Sequence, residues 1–193
     1  MNLILIAVLV VVAVWVISTY NFFVSSRARI KAAVQEIGNQ LKRQAELIPN
    51  LEASVKGYLK HESGIFEKLT EARRLIASAV ESGNAQKMAD AGAKLAAVLP
   101  SLTIAVEDNP ELKGSDVVGK LMDELRDTAD KVMYARRLVI DLTADYNVRR
   151  VTVPSSIMAN LLKIEELPGL ITPSEGEHLK VSEEDTKTPK VKI

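Results

Sequence analysis

The sequence predicts an all-α protein in which a single N-terminal transmembrane helix leads into an antiparallel four-helix bundle. Three observations predict it. Residues 1 to 26 carry no Asp, Glu, Lys, Arg or His, so every formal charge of the 193-residue chain falls at Arg27 or later. Beyond that leader, apolar residues recur in steps of three and four, the period of a helix face rather than a strand. The best candidate strand, Arg150-Val151-Thr152-Val153, is too short to build a sheet.

The leader, residues 1–26, comes first. Leu3 to Ile17 is an unbroken run of fifteen apolar residues, and the stretch to Val24 reaches twenty-two. At 1.5 Å per residue, about 20 residues cross a hydrocarbon core of roughly 30 Å. Residues 3–24 are therefore expected to contact the lipid bilayer. Trp15, Tyr20, Phe22 and Phe23 cluster at one end, as a belt of aromatics at the membrane interface would. A cleaved signal peptide fits less well, because no basic residue precedes Leu3 and Ile17-Ser18-Thr19-Tyr20 makes a poor cleavage site. Arg27, Arg29 and Lys31 follow directly, placed for anionic head groups. With Lys42 and Arg43 they outnumber the one nearby acid, Glu36, so the N-terminus is expected outside and the body in the cytoplasm.

Four periodic runs then make up the body, residues 27–153. Ile30, Val34, Ile37, Leu41, Gln44 and Ile48 form the first, and a stalk continuous with the span is expected to about Leu47. Pro49 is expected to open the next helix, since proline starts helices and does not continue them. That helix carries Leu51, Val55, Tyr58, Glu62, Ile65, Leu69, Ala72, Ile76 and Ala79. Ser82-Gly83-Asn84 supplies a C-terminal glycine and an N-cap asparagine. Met88, Gly92, Leu95, Leu99, Leu102 and Val106 follow, with Pro100 expected to kink or divide their helix. Asp108 to Ser115 reads as a longer turn with Ser115 as N-cap. The last run is Val118, Leu121, Leu125, Thr128, Val132, Ala135, Val139, Leu142 and Tyr146. Seven-residue repeats of this kind pack helices at about 20° in coiled-coil fashion. Pro154 ends that helix, and residues 154–172 read as a short helix capped by Ser155 plus a docking segment. The polar tail, 173–193, is expected to be disordered.

Composition narrows function. Lys and Arg total 25 against 25 Asp and Glu, so no net charge draws the chain to nucleic acid. With no cysteine there is no disulfide, thiolate zinc site or iron–sulfur cluster. His61-Glu62 opens like a zincin motif, but Ile65 stands where the second histidine belongs. The nine glycines form no phosphate-cradling loop. Neither a catalytic set, a metal site nor a cofactor is expected. Basic pairs such as Lys42-Arg43 and Arg149-Arg150 read as solvated or salt-bridged, with Asp123-Glu124 available to serve them. Tyr58, His61, Glu62, Tyr146 and Asn147 remain as a polar set, either a recognition patch or interhelical hydrogen-bond partners.

Leu41-Lys42-Arg43, Glu46 through Leu51, Val55-Lys56-Gly57-Tyr58 and His61-Glu62 together resemble the signature of the bacterial LemA family. Asn109 to Lys113, Ala135-Arg136-Arg137, Asp145-Tyr146-Asn147 and Pro154 follow in that family's order, so the likeness runs over about residues 1 to 170. The chain departs at Gln44, where a second arginine is usual, at Leu138-Val139, where Tyr-Asn is frequent, and at Val153, where an aromatic is common. The resemblance implies a membrane helix followed by an antiparallel four-helix bundle in a bacterial inner membrane, or in an organelle membrane derived from it. It implies no reaction; some relatives are associated with magnetosome membranes. The expected function is a non-enzymatic scaffold whose bundle recruits a protein partner or further copies of itself. The alternatives are an accessory of a membrane enzyme or protease system, or a membrane-shaping protein.

Overall fold

A computed structural model describes residues 2–59 and 63–171, and the chain is all-helical there, without a strand. Its helices are α1 (Asn2–Val55), α2 (Ser63–Ser82), α3 (Ala85–Glu107), α4 (Pro110–Lys113), α5 (Asp116–Val151) and α6 (Ser155–Leu161). His61, Glu62 and the tail from residue 173 lie outside the described residues.

α1 is a single rod of 54 residues, about 80 Å long by its rise per residue. Its first part is uncovered: every residue from Leu3 to Val14 is exposed. From Thr19 onward a buried stripe runs up one face through Phe23, Ser26, Ala33, Ile37, Leu41, Gln44, Ile48, Leu51 and Val55. Packing therefore begins below Arg27, inside the uncharged leader. α1 is long and apolar enough to cross a membrane. α3 meets the same length and composition test, but Leu95, Val98, Leu102 and Val106 are buried in the protein's own core.

Pro49 does not open a helix; it lies inside α1. An internal proline removes one backbone bond and crowds the preceding turn, at a cost of about 3 kcal/mol. Ile48, Leu51 and Val55 are wholly buried around it, and burying such side chains is worth about 1.5–3 kcal/mol each, enough to carry the helix through. The chain reverses later, at Lys56-Gly57-Tyr58. The run from Leu51 to Ala79 is thus two elements: Leu51 and Val55 finish α1, and Ile65, Leu69, Ala72, Ile76 and Ala79 form the buried face of α2. Pro100 likewise does not divide α3, which stays helical from Ala85 to Glu107.

The caps follow from side-chain chemistry. Asn84 Oδ1 accepts from the Lys87 amide at 2.9 Å, after Gly83 has turned the chain at φ 63°. The turn expected from Asp108 to Ser115 contains α4, because Asn109 Oδ1 accepts from the Glu111 and Leu112 amides and Pro110 takes the first helical position. Ser115 caps α5 through the Val118 amide. Ser155 is not a cap. Its hydroxyl donates to the carbonyls of Arg149 and Thr152 at 2.7 and 2.9 Å, closing the end of α5.

Two apolar clusters result. The larger draws on α1, α2, α3 and α5, with Leu112 of α4 beneath them. α1 packs most extensively on α5, and α2 on α3. Arg43 of α1 forms an ion pair with Glu124 of α5 beside this core, a partnership expected for one of the basic pairs. Gly92 of α3 lets three helices approach closely, since a Cβ there would meet Val132 Cγ1 at 3.1 Å and Leu41 Cδ2 at 3.3 Å. The smaller cluster is Phe23, Tyr146 and Ala159, flanked by Ile30, Ile164 and Leu167.

Candidate functional site

The smaller cluster is where α1, α5 and α6 converge, and there the chain turns back on itself. α6 ends in a Schellman-type stop: the Ile164 amide donates to Ala159 O at 2.8 Å, and Lys163 takes a left-handed conformation at φ 50°. The chain from Leu162 to Ile171 then crosses the protein as a non-helical strap.

Two side-chain amides hold the strap. Asn147 Nδ2 donates to Leu167 O at 2.8 Å while the Leu167 amide donates to Asn147 Oδ1 at 3.0 Å. Gln86, at the start of α3, repeats the pattern on Ile171: its Oε1 accepts from the Ile171 amide at 2.8 Å and its Nε2 donates to Ile171 O at 3.3 Å. Each amide thus satisfies a backbone donor and acceptor together, as a neighbouring strand would. Arg150 Nη2 adds a bond to Glu166 Oε2 at 2.8 Å.

Tyr146 sits at the centre and is fully buried. Its ring meets Phe23 edge-on at 5.3 Å. Its hydroxyl accepts from Arg27 Nε at 2.9 Å and donates to Glu165 O at 3.2 Å, linking α1, α5 and the strap through one oxygen. The Arg149 guanidinium lies 4.4 Å over the Phe22 ring, a cation–π contact from α5 to α1. Together these groups dock one chain segment against another.

The residues expected to form a polar set are split between the two ends of the molecule. Tyr146 and Asn147 adjoin and serve as hydrogen-bond partners between elements. Tyr58 is exposed at the α1–α2 reversal, about 50 Å up α1 from Phe23 by helical rise. His61 and Glu62 lie outside the described residues. The residues expected at the membrane interface are also divided. Phe23 is buried against α5 and α6, and Trp15 and Phe22 are partly covered, while Tyr20, Arg29 and Lys31 are exposed. Arg27 is exposed yet bonded to Tyr146. Sequence reasoning missed Gln86 and the partners of Arg149 and Arg150. No spacing rule announces a side chain that binds a segment 85 residues away.

Among the described residues, no three His, Asp or Glu side chains gather as metal ligands would. The model of the LemA family matches residues 33–192, beginning within α1 and leaving the apolar leader outside the match. A comparison with curated proteins finds no match.

Proposed function

Because the chain belongs to the LemA family, we propose that it is a membrane-anchored, non-enzymatic scaffold whose helical body recruits a protein partner, or further copies of itself, at the cytoplasmic face of a bacterial membrane. The observation that carries this reading is α1. One uninterrupted helix is uncovered and apolar from Leu3 to Val14 and carries a core-facing stripe from Thr19 to Val55. An uncovered apolar stretch of this kind suits lipid, and the same rod then presents the body at the surface. α1, α2, α3 and α5 are read as an antiparallel four-helix bundle. Supporting this, Phe23 pairs with Tyr146 and Arg43 with Glu124, so numbering rises along α1 as it falls along α5.

The outward face of α5 offers a contact surface. Met133 and Tyr134 are largely exposed and Leu138 lies beside them. The excess of Arg27, Arg29, Lys31, Lys42 and Arg43 over Glu36 favours the body in the cytoplasm. A reporter active only outside the cytoplasm, fused after Ile193, should then stay silent. The deciding experiment places a photo-crosslinking amino acid at Tyr134 of the full chain in intact membranes. Capture of a discrete partner or of a second copy is expected; capture of neither discards the reading.

A further inference from the structure

The corner joining α5 to α6 carries an unusual surface. Val151, Val153, Ile157 and Leu161 lie within eleven residues, and each is more than 60% exposed. Ile157 and Leu161 stand one turn apart on α6, on the face opposite the buried Ser155, Met158 and Ala159. α6 is thus apolar both toward the protein and away from it.

Depth argues for what covers this corner. Leu3 to Val14, the uncovered part of α1, rises only about 17 Å, well short of a hydrocarbon core of roughly 30 Å. A bilayer crossed by α1 must therefore extend past Trp15 toward Val24. Yet Trp15 and Phe22 share a groove with Val148, Val153 and Pro154, which Asp145 also lines, and Phe23 packs on Ala159. The corner stands at the depth of Trp15 to Phe23. Its backbone suits a medium poor in water: Thr152 Oγ1 donates to Val148 O at 2.7 Å, and Ser155 occupies the carbonyls of Arg149 and Thr152. Arg149 is folded over Phe22 and Arg150 is turned to Glu166, so both guanidiniums of the corner are drawn to partners within the protein. Arg29 and Lys31 are exposed further along α1, where head groups would lie.

We propose that the α5–α6 corner is a second membrane contact, lying in the interfacial layer of the same bilayer that α1 crosses and inserting Val153, Ile157 and Leu161 among the acyl chains. The occupant is lipid rather than protein because the patch is continuous with the apolar stretch of α1. This inference rests on the membrane-anchor reading, and its test separates the two.

The chain has no cysteine, so single spin labels can be placed on the full-length protein at Val153→Cys, Ile157→Cys, Val10→Cys and the exposed Val117→Cys. The probe is a vesicle of phosphatidylcholine and phosphatidylglycerol, with oxygen as the lipid-soluble relaxer and a nickel chelate as the aqueous one. The expected result is strong oxygen and weak nickel access at positions 153 and 157, at a shallower depth than position 10. Position 117 should be several-fold more accessible to nickel. If position 157 is as aqueous as position 117 while position 10 is deep, this inference falls and the anchor stands. If position 157 is shielded from both relaxers, protein covers the corner and the inference also falls. An aqueous position 10 overturns the anchor and the inference with it.

Discussion

Replacing Tyr146 with phenylalanine removes one oxygen and, with it, links between α1, α5 and the strap. The ring would keep its edge-on contact with Phe23, so the expected loss is about 1–2 kcal/mol, measurable by chemical unfolding followed by circular dichroism. Gln44 should show the opposite sign. It is almost fully buried in the α1 stripe, and its Oε1 has no hydrogen-bond partner among the described residues. Gln44→Met keeps the volume and removes the stranded acceptor, so a gain of about 1 kcal/mol is expected. Two helical glycines make a further contrast. A Cβ at Gly38 meets only the pliable Met88 sulfur at 3.3 Å, so Gly38→Ala should stabilise by about 0.5–1 kcal/mol. Gly92→Val would press on Val132, whose branched side chain is stiff, and should destabilise by about 1–3 kcal/mol. Periodicity made the placement of Tyr146 and Gln44 in core stripes legible. It carries no information on which atom a buried polar group will find, so the Arg27–Tyr146 bond was not foreseeable.

Among the elements, the strap offers the sharpest test. Its backbone is held by Asn147 and Gln86, each at one residue. Asn147→Ala should raise hydrogen exchange at the Leu167 amide, and Gln86→Ala at Ile171, with the amides of α1 and α5 little changed. If exchange in α1 rose equally, the strap would be part of the core and not a separately released segment. Lys163→Gly should tighten the stop after α6 by relieving a left-handed residue, worth roughly 1 kcal/mol. Elements were largely legible and their joints less so. The caps at Asn84 and Ser115 stand where side-chain chemistry puts them, and the α5 stripe does so except at two positions, where Met122 and Thr143 are buried while Leu121 and Leu142 are only partly covered. The reversal between α1 and α2 was misplaced because Leu51 and Val55 continue the spacing of Ile65 and Leu69 across the turn. A heptad register does not record a change of direction. Pro49 and Pro100 are local breakers by their chemistry, and buried neighbours outweigh them.

On the scale of the whole molecule, helix content and an apolar N-terminal rod were readable from the uncharged leader and four spaced runs. The overlap between leader and core was not, because Thr19, Phe23 and Ser26 look like ordinary parts of an apolar stretch although the fold buries all three. That overlap has a measurable outcome. Deleting Leu3 to Val14 removes only the uncovered part of α1 and leaves the buried stripe and the α5–α6 corner in place. The shortened protein should still sediment with anionic vesicles, more weakly than the full chain, and adding Ile157→Asp and Leu161→Asp should release it. Retention after those changes would show that the corner contributes no membrane affinity.

α1 passes from its apolar stretch into the core without a hinge, and in a bilayer that makes it a lever arm. Helices answer a change in hydrocarbon thickness by tilting. A tilt of about 10° at the base would swing the reversal at Gly57, some 50 Å away, by about 8–9 Å. If α1 spans a bilayer as proposed, the far end of the protein would report the thickness of that lipid. Neighbouring copies would meet at matching heights and angles only where that thickness is uniform.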